Sequence, residues 1–315
     1  MEKVVSLPLN RKPPAHLEVQ GHRGARGLRP ENTLAAFEYA NALGVTTLEM
    51  DTGISADGVL VVCHDPVINP LLCVDAKGDR LADVPKRLLK ELTVAEIQTF
   101  DCGTLNPDPV RFPLQQAVPG SRIPTLQQVF DLAEAQNPKI RYNIESKVNP
   151  LYPEQTASPK VFAEKLVDLI EQNNLTARAV IQSFDWRVLQ HVKWLNPDIQ
   201  TSALVLHNQT SSTLEGFAGP SPFLAGLNFA DCQGNIASLL RSTGYIDIYS
   251  PNFETLLPES PVFLQSVGEL KQAELIIFPW TVNQEIIMRR LINLEVDGLI
   301  TDFPDRLLNL LNSWD

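Results

Sequence analysis

The sequence predicts an α/β fold, a TIM-type (β/α)8 barrel with a small insertion after the second strand. Three observations carry this reading. Eight short apolar runs alternate with helical patterns, which argues for a parallel sheet closed on itself. The 315 residues, 44% of them hydrophobic, supply one large core, and barrels reach this length as one domain. Polar residues of ligand and acid/base type stand at the ends of the apolar runs, where barrels of this kind collect their chemistry. Residues 1–315 are therefore read as a single barrel domain.

Taken in order, residues 1–16 are polar and proline-containing and form a loosely attached arm. The first strand covers 16–20. A helix then starts around Arg29-Pro30-Glu31-Asn32-Thr33, with Leu34, Phe37, Ala40 and Leu43 at helical spacing, and ends at Gly44. The second strand covers 46–55. The turn Ala56-Asp57-Gly58 and the apolar run 59–63 make a hairpin with it. Residues 66–124 break the rhythm and form the insertion. Its clear helix is LTVAEIQTF, where Thr93 and Glu96 make a capping-box pattern. A further helix runs from Ile123-Pro124-Thr125 to about Ala135. Strands at 141–147, 179–184, 201–206, 246–251, 275–281 and 298–301 complete the eight, with helices such as 158–171 and 284–294 between them. The run 224–229 is ambiguous and could be an extra short strand.

Composition excludes several classes of function. The net charge of −11 argues against a nucleic-acid partner, although a local basic cluster can still hold a small anion. No apolar run reaches 18 residues, so no transmembrane segment is expected. The first twenty residues lack the apolar core of a signal peptide. The protein is then cytoplasmic or, if a leader has been removed, periplasmic or secreted. Cys63, Cys73, Cys102 and Cys232 form no C-x-x-C pair, which argues against zinc. Cys63 and Cys73 could meet across a loop as a disulfide; the favoured reading is four buried thiols. The sequence leaves the oligomeric state open.

Glu49 and Asp51 lie two apart on a strand and face one way. Two such carboxylates repel unless a cation or proton lies between them. Glu145, ending another strand, adds a third, and an all-oxygen set suits one divalent cation, Mg²⁺ or Ca²⁺. The alternative is a network of ion pairs at the barrel mouth. His22 and His64 bracket the carboxylate pair and fit general acid/base work, against a structural role for each alone. Arg23 and Lys147 are candidates for holding phosphate. Arg26 and Arg29 read as solvated loop charges. Phe184 and Trp280 either wall a pocket or belong to the core.

The ordered set His22-Arg23-Gly24, Glu31-Asn32-Thr33, Glu49-x-Asp51, then Asp57-Gly58 leading to His64-Asp65 resembles the glycerophosphodiester phosphodiesterase family. IQSFD with Gln182, Ser183 and Phe184, FPWTVN with Trp280 and Asn283, and VDGLITDFPD extend the resemblance to about residue 308. It implies metal-dependent hydrolysis of a small glycerophosphodiester to an alcohol and glycerol 3-phosphate. In it His22 and His64 are the catalytic pair, and Glu31 and Asn32 orient His22 or Arg23 and the helix start. Asn32 could also serve as the helix cap. Thr52-Gly53 after Asp51 departs from the bulkier strand residue expected there and could mark a bulge. Two other functions stay in view: a phospholipase acting on intact lipids, which needs an exposed apolar rim that no loop supplies, and a non-catalytic barrel-type binding protein, which should have lost a histidine or ligand.

Overall fold

The computed structural model describes residues 16–81, 86–216 and 219–314; the expected arm lies almost wholly outside them. Eight parallel strands form the barrel wall: β1 Glu18–Gly21, β2 Thr47–Ile54, β4 Arg141–Ser146, β5 Ala179–Ser183, β6 Gln200–Val205, β9 Ile248–Pro251, β10 Ile276–Ile277 and β11 Gly298–Thr301. They neighbour one another in the order β10-β9-β6-β5-β4-β2-β1-β11. The remaining seam is bridged by single hydrogen bonds, from the Asp297 N–H to the Ile277 carbonyl and from the Ile300 N–H to the Pro279 carbonyl, both 3.1 Å, and from the Val282 N–H to the Ile300 carbonyl at 2.9 Å. β10 is shorter than the 275–281 expected because Pro279 has no N–H to give to a ladder.

Eight helices cover the barrel: α1 Leu34–Leu43, α3 Leu126–Gln136, α4 Pro159–Gln172, α5 Trp186–Leu195, α6 Ile236–Thr243, α7 Val267–Gln272, α8 Glu285–Asn293 and α9 Pro304–Asn312. Their apolar stripes bury Phe37, Phe130, Phe162, Leu166, Leu189, Leu240 and Leu291 in one large core between helices and strands. The cap of α1 is Thr33, whose side chain accepts from the Ala36 N–H, and not Asn32. The helix therefore starts later than Arg29, and Glu31 and Asn32 are left in the turn before it.

The hairpin partner of β2 is β3 Leu60–Val62, antiparallel and in register, with Gly53 opposite Val61. No bulge occurs there. Gly53 makes room instead: a Cβ at that position would sit 2.9 Å from Leu89 Cδ1. The run 224–229 forms turns and enters a short 3-10 helix, Phe229–Cys232, rather than a strand. A small hairpin, β7 Glu215–Gly216 with β8 Gly219–Pro220, precedes it.

The described part of 66–124 packs its own apolar cluster against β3, including Ile68, Leu89, Leu92 and Ile97. Its helix, α2 Val94–Ile97, keeps the Thr93/Glu96 capping box but lasts one turn. Paired hydrogen bonds between Asp101 and Val74 pull the chain out of helix and into a bridge. That bridge sets Cys73 and Cys102 face to face, Cα to Cα 4.0 Å, and they form a disulfide. This corrects the expected cysteine chemistry. Cys63 lies at the end of β3 with its thiol directed to the Asp65 carbonyl, and it is free and buried. The bond closes a 29-residue separation, so Cys73→Ser should cost about 3–4 kcal/mol on the chain-entropy account. Denaturant unfolding of the variant against wild type measures this; a loss below about 1 kcal/mol would count against the account.

Candidate active site

The barrel interior is built in layers along its axis. At the amino-terminal end Arg141 Nε lies 3.1 Å from Glu18 Oε1 as an ion pair, and the same guanidinium donates to Gln200 at 2.9 Å. Above it lie three neutral amides. Asn143 Nδ2 donates to Gln20 Oε1 at 2.8 Å and to Gln182 Oε1 at 3.1 Å, and Gln182 Nε2 donates to Glu49 Oε1 at 2.7 Å. The facing wall is apolar, made of Val180, Ile248, Phe278 and Ile300. The carboxyl ends of the strands hold the charged layer.

Glu49, Asp51 and Glu145 meet there, all buried, each offering an oxygen within 4.8 Å of the others. Burial, and the charge of Asp51 beside it, push Glu49 well above the usual carboxylate range. Burial pushes Glu145 up to about 7, with Lys147 opposing. Burial would raise Asp51 as well, but Arg23 and Lys147 outweigh it and hold that carboxyl well below its ordinary value. Arg23 Nε lies 3.1 Å from Asp51 Oδ2, and Lys147 Nζ lies 2.7 Å from Glu145 and 3.6 Å from Asp51. Two cations thus offset part of three clustered anions. The all-oxygen donor set, crowded and buried, fits Mg²⁺ or Ca²⁺.

The turn after β1 sets the remaining groups. Arg23 has φ of 51°, and its N–H donates to Glu49 Oε2 at 2.8 Å. Gly24 follows at φ 84°, and a Cβ on it would lie 2.7 Å from the Ala36 carbonyl carbon in α1. Only glycine lets the turn pack against that helix. Glu31 grips Arg23 at 2.6 Å and Arg26 at 2.6 Å, while Asn32 Nδ2 donates to Asp51 at 2.9 Å. Arg26 is therefore no solvated loop charge. It lines the central cavity and lies over the Phe112 ring. Arg29 stays outside the cavity with its guanidinium 3.9 Å from the Tyr39 ring centroid.

Each histidine has its own carboxylate. His22 Nδ1 lies 2.6 Å from Asp302 Oδ1, and Asn283 Nδ2 donates to the other oxygen at 2.6 Å. His22 Nε2 points toward Glu49 at 3.9 Å. His64 Nδ1 lies 2.9 Å from Asp65 Oδ1 and is more open to solvent. Burial lowers both imidazoles below 6.5; Asp302 partly offsets it at His22, and Lys147 adds to it at His64. Burial would raise Asp302, yet the facing His22 holds it at about 2. The motifs VDGLITDFPD and His64-Asp65 carry Asp302 and Asp65 without marking their role. Their signal was position, an acid one residue beyond the strand end and an acid next to a histidine.

All of these converge on a cavity of about 190 Å³ lined by His22, Arg23, Arg26, Glu49, His64, Glu145, Lys147, Gln182, Phe184 and Trp280. Phe184 and Trp280 form one wall, edge to face at 5.7 Å, and the Trp280 indole donates to the Ser250 carbonyl at 2.8 Å. Residues 22–306 match the family model of the glycerophosphoryl diester phosphodiesterases. The chain belongs to that family. Among relatives of the family, a glycerophosphodiester phosphodiesterase of Caldanaerobacter subterraneus subsp. tengcongensis is 30% identical, over 93% of this chain and 97% of its own. One from Bacillus subtilis is 26% identical over 93% and 85%. A crystal structure from Silicibacter pomeroyi, named for the same family, superposes with a TM-score of 0.80 at 30% identity and covers 97% of each chain. The Oleispira antarctica phosphodiesterase, solved with its product sn-glycerol-3-phosphate, shares the fold, with a TM-score of 0.66 at 19% identity over 94% and 97%. No helix among the described residues is long and apolar enough to cross a membrane.

Proposed function

We propose that a single barrel domain spanning this chain hydrolyses glycerophosphodiesters to an alcohol and glycerol 3-phosphate. The observation that carries the reading is the convergence of two His–Asp pairs, three carboxylates and the cations Arg23 and Lys147 on one cavity. Glu49, Asp51 and Glu145 would hold one divalent cation, which when bound supplies positive charge to offset the phosphate and the developing alkoxide. Arg23 and Lys147 hold the phosphate oxygens, the guanidinium as a fork and the ammonium as a point charge. Phe184 and Trp280 exclude water and pack against the glycerol.

The proton work falls to the histidines. Asp302 takes the Nδ1 proton side of His22 and leaves Nε2 to accept a proton from the nucleophile. That nucleophile is the substrate's own hydroxyl next to the ester, which is already positioned and avoids much of the entropic cost of bringing in water. His64 gives a proton to the departing oxygen. The cyclic phosphate then opens with water while the two imidazoles exchange roles. Glu31 and Asn32 act through Arg23 and Asp51, fixing their directions. Of the two compartments the sequence left open, the Cys73–Cys102 bond favours the oxidising one.

The test is a hydrolysis assay on a panel of small glycerophosphodiesters, with and without chelator. Small deacylated esters should be cleaved far faster than vesicle phospholipid. Chelator should abolish the activity, and Mg²⁺ or Ca²⁺ should restore it. Full activity of a verified metal-free protein would reject the cation site, and faster cleavage of vesicle lipid would move the protein to the phospholipase reading.

A further inference from the structure

Beside the central cavity lies a second one of about 350 Å³, and His64, Glu145, Lys147 and Phe184 line both. We propose that this second cavity receives the departing alcohol and selects uncharged, largely apolar alcohols over cationic ones. The proposal rests on the diesterase reading above.

The shared lining of the two spaces supplies the first argument. The central cavity is the smaller of the two and holds Arg23, Glu49 and His22, so on the diesterase reading the phosphate and glycerol occupy it. The other substituent on phosphorus must leave across the shared residues, and the larger cavity is what lies there. His64, on that boundary, is placed to protonate the oxygen that departs into it.

The walls supply the second argument. Val148, Leu151, Leu206 and Phe223 give it an apolar surface, with Leu151 exposed at the mouth. Two of its polar groups are engaged within the protein, and the buried Thr156 hydroxyl, which has no hydrogen-bond partner among the described residues, is neutral and suits an uncharged alcohol. Ser212 Oγ pairs with His207 Nδ1 at 3.0 Å, and Asn149 Oδ1 accepts from the Leu151 N–H at 2.9 Å. Both carboxylates are taken as well, Asp65 by His64 and Asn69, and Glu145 by Lys147.

A quaternary or primary ammonium on the alcohol would need a free carboxylate or several open aromatic faces. The cavity gives it neither. Phe184 already faces Trp280 and has Lys147 Nζ 6.0 Å from its centroid, so a second cation there meets repulsion. An alkyl chain gains from each methylene it buries.

The experiment uses cation-loaded protein and esters that share the glycerophosphoryl half: methyl, butyl and hexyl, with the choline and ethanolamine esters alongside. The expected result is a rise in kcat/KM with chain length, up to about fourfold per buried methylene, and a hexyl ester at least about tenfold better than the choline ester. Leu151→Ser and Leu206→Ser should flatten the chain-length dependence. A flat wild-type series, or a choline or ethanolamine ester preferred over the hexyl ester, would overturn the proposal. Calorimetric binding of the same series to His22→Ala protein separates it from the diesterase reading, because His22 does not line this cavity. Affinity that climbs with chain length while wild type cleaves no ester would reject the hydrolase and keep the pocket; flat affinity would reject the pocket.

Discussion

His22→Ala and His64→Ala proteins should each turn over glycerophosphodiesters about 10² to 10⁴ times more slowly than wild type. Both imidazoles line the cavity, and each is fixed through Nδ1 by a carboxylate. In the proposed mechanism, removing either would delete one proton transfer from each half of the reaction. The two variants should differ in stability. His22→Ala leaves Asp302, fully buried, with Asn283 as its close side-chain partner, whereas His64 and Asp65 are both partly open to water. Asp302 has a folded pKa of about 2 against about 3.9 for an unfolded aspartate. Its lowered value therefore gives stability that is full above about pH 3.9 and lost as pH falls through about 2, on the order of 2–3 kcal/mol. In His22→Ala much of that contribution should vanish, which chemical unfolding at pH 3 and pH 6 would show. A substrate analogue without the hydroxyl adjacent to the ester should bind and hardly be cleaved. Cleavage of that analogue at the normal rate would favour direct attack by water and reassign both histidines.

The second large effect concerns the carboxylates. Glu49→Gln, Asp51→Asn and Glu145→Gln should each abolish most activity and, read separately, most cation binding. The structure makes the binding readout sensitive. Three buried carboxylates within 4.8 Å repel, so a bound cation should stabilise wild-type protein, by about 2.7 kcal/mol at a hundredfold excess over Kd. In the variants that gain should shrink toward zero. Without added cation the Glu49→Gln protein relieves Asp51 of a like-charged neighbour but should still be no more stable than wild type, because both Glu49 oxygens accept, from the Arg23 N–H and from Gln182 Nε2, and a glutamine can accept from only one of these donors. An undiminished shift in melting temperature with Ca²⁺ and Mg²⁺ in all three variants would mean that the ion sits elsewhere.

The fold was legible because its signals are periodic. Strand runs carrying Glu49-x-Asp51 and Asn143-Ile144-Glu145 report both a strand and the side its side chains face. Helix starts with side-chain caps, such as Thr33 and Thr93, show in the sequence to within a few residues. The misses come from partners distant in the chain. Arg26 looks like any loop arginine until Glu31 and Phe112 are seen around it. Cys102 is 29 residues from Cys73, and only the Val74–Asp101 bridge brings them together. Asp302 is 280 residues from the imidazole it faces. No local pattern could announce that pairing, although the ordered motifs could say that the two strand ends belong to one mouth.

The amide layer beneath the carboxylates has a direction. Asn143 gives both of its N–H groups away, one to Gln20 and one to Gln182, and those two amides pass the sense outward, Gln20 to Glu18 and Gln182 to Glu49. Every donor in the chain therefore points from the centre toward an anion, one at each end. A carboxylate cannot donate, so neither glutamine can turn over without setting oxygen against oxygen, and Asn143 cannot turn without doing so twice. The two glutamates act as polarisers that leave the stack a single orientation. Glu49 is at once the top of this stack and a member of the acidic cluster. A proton on Glu49 would make it a potential donor and so loosen the ordering of the barrel's interior down to its far end, whereas a bound cation would leave it an acceptor and keep that order.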